Sequence, residues 1–288
     1  MDELLLDSQL RAFLVEDIGA GDVTTDAVFQ AGEEGAAVLR AREPLVAAGM
    51  DLVAGRVFRL LNPAVIVDAA VADGCKVEAG AVLLRVRGPV KDLLRGERVA
   101  LNLVQRLCGI ATLTRKYVEN VAGLDVRITD TRKTTPGLRM LEKYAVRVGG
   151  GHNHRFNLSD GILLKDNHLA ACGSIAAAVA KVRAQVPHTL RIEVEAETLA
   201  QVRECLACGV EIIMLDNMTL AGIREAVRLI DGRALVEASG GVTLETVRAI
   251  SETGVNLISV GRLTHSAPAC DIGMDVDELP GRGGQPRP

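Results

Sequence analysis

Residues 192–261 read IEVEAETLAQVRECLACGVEIIMLDNMTLAGIREAVRLIDGRALVEASGGVTLETVRAISETGVNLISVG, and they alternate short apolar strands with helix-like stretches. The strand candidates are IEVE at 192, EIIML at 211, ALVEA at 234 and NLISVG at 256. Between them lie TLAQVREC, LAGIREAVRLI and TLETVRAISETG. Glu195, Asp216, Glu237 and Ser259, taken as strand ends, are 21, 21 and 22 residues apart, the length of one strand-loop-helix-loop unit. Such repetition predicts parallel strands joined by helical crossovers, in a β/α barrel or an open doubly wound sheet. Working outward, VRIT at 126 and GILL at 161 add two strands, and SIAAAVAKVRAQV one helix. Six clear strands, or seven, fall short of an eight-fold barrel, which takes roughly 250 residues. An incomplete barrel or an open sheet is expected.

The texture before residue 95 is different. AAVLRAREPLVAAG and AVIVDAAVADGCKVEAGAVLLRVRGPV read as short β-branched strands, punctuated by Gly74, Gly80, Gly88 and Pro89. A helical stretch follows, RGERVALNLVQRLCGIATLTRKYVENVAG, with Val99, Leu103, Leu107 and Ile110 recurring at three- and four-residue steps.

Composition bounds the function. The chain has 288 residues, 48% hydrophobic and 24% charged, enough for one large or two modest packed domains. Aromatics are 2% and Trp is absent, so the core rests on Val, Leu, Ile and Ala, which argues against a surface that stacks bases. A net charge of −4 excludes a general nucleic-acid binder. Between Arg127 and Lys165, however, eight Lys/Arg face three Asp/Glu, a basic island suited to a small anion. The acidic start MDELLLDSQLRAFLVEDIGAGDVTTD is unlike a secretory signal, and no segment has the ~18–20 apolar residues that span a bilayer. Six scattered Cys fit a reducing, cytoplasmic compartment. Cys205 and Cys208 form a C-x-x-C with no second pair, which is read as helix packing.

In both parallel architectures ligands bind beyond the C-terminal ends of the strands. Those ends offer Arg132 and Lys133 in DTRKTTPG, Lys165 and His168 in LKDNH, and Glu193 and Glu195 on one face of IEVE. Later ends offer Asp216–Asn217, then Ser239–Gly240–Gly241, and Gly261, His265 and Ser266 in GRLTHS. Ser-Gly-Gly running at once into a helix start predicts a phosphate cradle at a positive helix end. An insert ending Gly149–Gly151, His152, Asn153, His154 and Arg155 adds cations that converge on an anion; His152 and His154 as metal ligands are the alternative.

TDTRKTTPGLRMLEKYAVRVGGGHNHR, LLKDNH, IEVE, MLDN, EASGG and SVGRLTHS, in this order, resemble the quinolinate phosphoribosyltransferases, also called nicotinate-nucleotide pyrophosphorylases (carboxylating). The match runs from EDIGAGDVTTD to DIGMDVD, nearly the whole chain. The resemblance implies an N-terminal α/β sandwich (residues 1–109), an incomplete seven-stranded β/α barrel (110–266) and a closing segment (267–288) that returns to the first domain. It implies that quinolinate and phosphoribosyl pyrophosphate, with Mg²⁺, give nicotinate mononucleotide, pyrophosphate and CO₂ in de novo NAD biosynthesis. It also implies a homodimer or a hexamer of dimers.

Carried over by position, quinolinate falls to Arg132, Lys133, His154, Arg155 and Lys165, with Arg98 given by the neighbouring subunit. Glu195 and Asp216 face the ribose and Mg²⁺, and Lys165 joins them as a catalytic group. Ser239, Gly240, Gly241, Gly261 and His265 cradle phosphate. Cys108 is the one departure, standing where Ser is more usual, outside the implied contacts. Three rivals compete with this assignment: a Schiff-base lyase on Lys165, a molybdate-transport-associated paralogue, and a sugar-phosphate-binding regulator.

Overall fold

The computed structural model describes residues 2–276. Helix α1 (Glu3–Ile18) opens the chain, capped by Asp2, whose carboxylate accepts from the Leu5 N–H at 3.0 Å. Leu6, Leu10 and Leu14, four apart, are its buried stripe. Helices α2 (Val23–Val28), capped by Asp22, and α3 (Arg56–Leu61) follow, the latter after a π-turn at Met50–Gly55. The residue pattern before residue 95 was read only for its strands and missed these helices, which the α/β sandwich implied by the resemblance includes. The caps and the four-residue leucine spacing mark α1, whereas the glycine punctuation reports only the strands.

Those strands are β1 (Glu34–Ala41), β2 (Leu45–Val46), β3 (Ile66–Ala70), β4 (Lys76–Val77) and β5 (Val82–Pro89). The long helix α4 (Val90–Asn120) then spans the boundary between two compact units. Of the described residues, 2–112 and 267–276 form one unit, and Leu113–Ser266 the other.

The second unit alternates strand and helix: β6 (Arg127–Thr129), α5 (Arg139–Val148), β7 (Ile162–Leu164), α6 (Asp166–Cys172), α7 (Ile175–Gln185), β8 (Ile192–Ala196), α8 (Leu199–Cys208), β9 (Ile212–Asp216), α9 (Leu220–Ile230), β10 (Leu235–Ser239), α10 (Val247–Ser251), β11 (Leu257–Ser259) and α11 (Arg262–His265). The six strands pair in parallel in the order β6-β11-β10-β9-β8-β7. The seventh place is reduced to a single parallel bridge, His152 to Thr129, beside β6. The unit is thus an incomplete β/α barrel of six strands with a one-residue remnant of the seventh. Cys205 is buried on α8 and burial pushes its thiol up to about 12, as packing requires; Cys208 is half-buried, and both are free thiols.

In the first unit the closing strand β12 (Ile272–Val276) pairs antiparallel with β1, giving a sheet ordered β12-β1-β5-β3. Where α4 meets that closing segment the backbones nearly touch. A Cβ on Gly109 would lie 1.9 Å from the Pro268 carbonyl oxygen, so only glycine fits there. The closing segment beyond residue 276 lies outside the described residues. Among the described residues, no helix is long and apolar enough to cross a membrane.

Candidate active site

Side chains alternate across a strand, so register decides what the barrel interior presents. On β8, β9 and β10 one set, Val194, Ile213, Leu215, Val236 and Ala238, is apolar and buried. The other set faces a cavity of about 690 Å³: Glu195, Met214, Asp216, Glu237 and Ser239, joined by Lys165 and Ser259. Equal spacing along the chain does not give equal height in the barrel. Glu195 pairs with Met214 and Met214 with Glu237, whereas Asp216 pairs with Ser239. Barrel strands are staggered, so the end of β10 is Ser239. Glu237, read as a strand end, is instead a mid-strand residue only 1% exposed.

The same cavity is lined by Arg132, Lys133, His154 and Arg155, and by Gly240, Gly241, Gly261 and His265. Every residue expected in the site therefore lines one cavity, except Arg98, which is exposed on α4 in the first unit. His168 does not line it. Its Nδ1 accepts from the Lys165 N–H at 3.0 Å and fixes the start of α6.

Helix α5 builds the cationic side of the cavity. Arg139, Glu142 and Lys143 stand at i, i+3 and i+4 and share one face. Arg139 donates to Thr134 Oγ1 at 2.9 Å and to the Phe156 carbonyl at 3.2 Å. Glu142 accepts from both the N–H and the hydroxyl of Thr135, at 3.1 and 2.8 Å. Together they shape the loop carrying Arg132 and Lys133. Lys143, fully enclosed, pairs with the equally buried Asp130. Asp130 also accepts from Asn153 Nδ2 at 2.6 Å and from the His154 N–H at 2.9 Å, and Lys143 donates to the His154 carbonyl at 3.0 Å. Burial raises the Asp130 carboxyl and lowers the Lys143 ammonium, and their mutual charge and these donors offset only part of that pull toward neutrality.

The sequence reading gave Asp130, Lys143, Arg139 and Glu142 no role. A weak signal was present, since Met140 and Val146, at i−3 and i+3, flank Lys143 on its own face of α5.

His154 is held on every side. Its Nδ1 accepts the Arg155 N–H at 2.7 Å, which leaves Nε2 as the protonated nitrogen, 3.0 Å from Glu193 Oε2 and 3.8 Å from Glu237 Oε1. Burial lowers its basicity, but the Glu193 hydrogen bond and the two carboxylate charges outweigh this and leave it above the ordinary histidine value. One donor atom each from His154, Glu193 and Glu237 lies within 4.8 Å of the others. His152 is not in this group; it is exposed at its bridge to Thr129.

Arg155 donates to the Gly161 carbonyl at 2.8 Å. Burial and then the nearby Arg132 charge pull its guanidinium below the ordinary value, as expected where like charges converge. Arg132 Nε is buried with no protein partner. Lys165 Nζ lies 3.5 Å from Glu195 Oε1, and burial raises the Glu195 carboxyl, with the Asp216 charge adding to that.

The anion cradle differs from expectation in one respect. No helix follows Gly241 directly. Thr243 and Thr246 form a turn, with the Thr243 N–H donated to Thr246 Oγ1 at 2.9 Å, and α10 begins only at Val247. Threonines this close to a turn cap it and delay the helix. The cradle is instead made of backbone. Gly240 and Gly241 adopt φ of +92° and +60°, and a Cβ on Gly240 would meet Asn217 Oδ1 at 2.1 Å. Consecutive left-handed residues expose N–H groups as an anion-binding concavity. Gly261 closes the rim, with Lys133 Cδ and the His265 ring 3.1 and 3.2 Å from where its Cβ would stand.

Comparison with known proteins points to one family. The quinolinate phosphoribosyl transferase C-terminal domain model matches residues 110–275, and the N-terminal domain model matches residues 22–108. A Bacillus subtilis protein named probable nicotinate-nucleotide pyrophosphorylase [carboxylating] is 48% identical, covering 96% of this chain and 95% of its own. A Mycobacterium leprae nicotinate-nucleotide pyrophosphorylase [carboxylating] is 45% identical over 93% and 95%. The crystal structure of NadC from Streptococcus pyogenes superposes with a TM-score of 0.92 at 44% identity, over 96% of this chain and 99% of that one. From its first domain to its last described strand, the chain belongs to the quinolinate phosphoribosyltransferase family.

Proposed function

We propose that the barrel cavity binds quinolinate on Arg132, Lys133, His154, Arg155 and Lys165, and phosphoribosyl pyrophosphate on Glu195, Asp216 and the Ser239–Gly241, Gly261 and His265 rim. The reaction is that of the family: phosphoribosyl transfer to quinolinate with decarboxylation, giving nicotinate mononucleotide, pyrophosphate and CO₂. The observation that carries the assignment is convergence. Three loops separated in sequence place cations in one cavity, with two acids beside them and a backbone cradle completing the rim. Arg forks bind adjacent carboxylates bidentately. As the ring nitrogen attacks C1 of the ribose, positive charge grows on the sugar, and Glu195 and Asp216 stand to stabilise it.

These two acids also suit Mg²⁺. They are oxygen donors on neighbouring strands, and burial, with the Asp216 charge adding to it, raises the Glu195 carboxyl. When bound, Mg²⁺ neutralises the departing pyrophosphate. Arg98 completes the quinolinate site of a second subunit in a homodimer or a hexamer of dimers, and the protein works in the cytoplasm. Incubation with quinolinate, phosphoribosyl pyrophosphate and Mg²⁺ should yield nucleotide and CO₂ one for one. Phosphoribosyl pyrophosphate consumption without CO₂ would reject the assignment.

A further inference from the structure

A second cavity of about 670 Å³ lies within the same unit, lined by Arg127, Ile212 and Leu257 near the starts of their strands and by His152 and Arg191. It is thus at the opposite mouth of the barrel from the cationic site. Three residues line both cavities: His154, Arg155 and Glu237. Glu237 is the acid among them, its side chain 2% exposed and its Oε1 without any hydrogen-bond partner. A buried carboxylate with one oxygen left without a hydrogen bond is costly to ionise, which favours its protonated form even with His154 3.8 Å away. Four neighbours face it: Glu193 on β8, His154 after α5, Asp130 after β6 and Ser259 on β11. Burial, followed by the Glu193 charge, keeps its carboxyl well above the usual range.

Decarboxylation creates a need that the residues assigned above do not meet. When the C2–carboxylate bond breaks, CO₂ leaves and the electron pair stays on C2 of the ring, where it must capture a proton. The cations above the ring are committed to carboxylates, and water admitted there would intercept the developing sugar cation. A proton delivered from beneath avoids that conflict.

We propose that Glu237 is the acid that protonates C2, and that it is reloaded from water through the second cavity. The Glu237 O–H bond breaks as the C2–H bond forms, and the carboxylate so left takes one proton from solvent below. His154, its Nε2–H held on Glu193, keeps its own proton and lines the boundary between ring and acid. The proposal rests on the reaction assigned above, but it fails separately, because that reaction is read from product formation by the unaltered protein.

The test is a rapid-quench single turnover that follows pyrophosphate release and nicotinate mononucleotide formation separately. In Glu237→Gln, which keeps the shape and loses the proton, pyrophosphate should be released at nearly the wild-type rate while nicotinate mononucleotide forms roughly 10²-fold more slowly. The carboxylated nucleotide should accumulate between the two steps, because loss of CO₂ stays reversible until C2 has captured its proton. Glu237→Asp should restore part of the second step. Equal slowing of both steps, or normal rates in both, would overturn the proposal. Should Glu237→Gln fail to fold, the wild-type protein in D₂O decides: only the second step should slow, and absence of that effect would equally overturn it.

Discussion

The two sheets use alternation for opposite ends. In the antiparallel sheet of the first unit, the charged face meets solvent. Arg87 on β5 pairs with Asp68 on β3 at 2.9 Å, and Arg40 and Arg42 pair with Asp275, all partly exposed. In the parallel sheet of the second unit, the apolar set is buried and the charged set lines an open-mouthed cavity. Helical crossovers cover the outside of a parallel sheet, so a charge on its strands can only face the barrel interior. The same period-two pattern therefore means a solvated face in one unit and a charged cavity lining in the other.

The comparison breaks or sharpens under mutation, with the largest effects expected inside the barrel. Lys143→Met leaves Asp130 buried and unpaired, and should destabilise the protein by about 3–5 kcal/mol. Denaturant unfolding measures this, and a loss below about 1 kcal/mol would show the pair to be incidental. Glu195→Gln should cut turnover by roughly 10²-fold or more with folding intact; a near-normal rate would remove Glu195 from the chemistry.

A weaker effect concerns pH. A buried acid whose folded pKa is raised stabilises fully below the unfolded value, and that contribution is lost as pH rises through the folded value. Glu237 is such a group, and His154, also raised, acts in the same sense. Between about pH 5 and about pH 8, Glu237→Gln should therefore lose less stability than the wild type. Parallel pH curves would contradict the enclosed acid. The smallest effect belongs to the first unit, where Arg87→Ala should change stability by about 1 kcal/mol or less.

Much of this was legible from residues alone. The repeat of 21 and 22 residues located β8 to β11, and the loop tips named the cations, because strand ends and loops follow periodicity and polarity. Glu237 was placed at the wrong height because stagger between strands is a property of the closed sheet and leaves no local trace. Gly240–Gly241 were read as a phosphate cradle at a helix start; the glycines do form a tight turn, yet Thr243 and Thr246 turned the following residues away from a helix. The clamp of Arg139, Glu142 and Lys143 was hidden because charged residues on an amphipathic helix usually face water, and only tertiary packing buried this face.

The account stands on cations from separate loops holding one small dianion. Titration calorimetry of quinolinate against the wild type and Arg132→Ala tests this without turnover. A charge-assisted bond is worth about 1.5–3 kcal/mol, so the variant should bind at least roughly tenfold more weakly, while Arg87→Ala binds as the wild type does. Equal affinity in all three proteins would contradict the account.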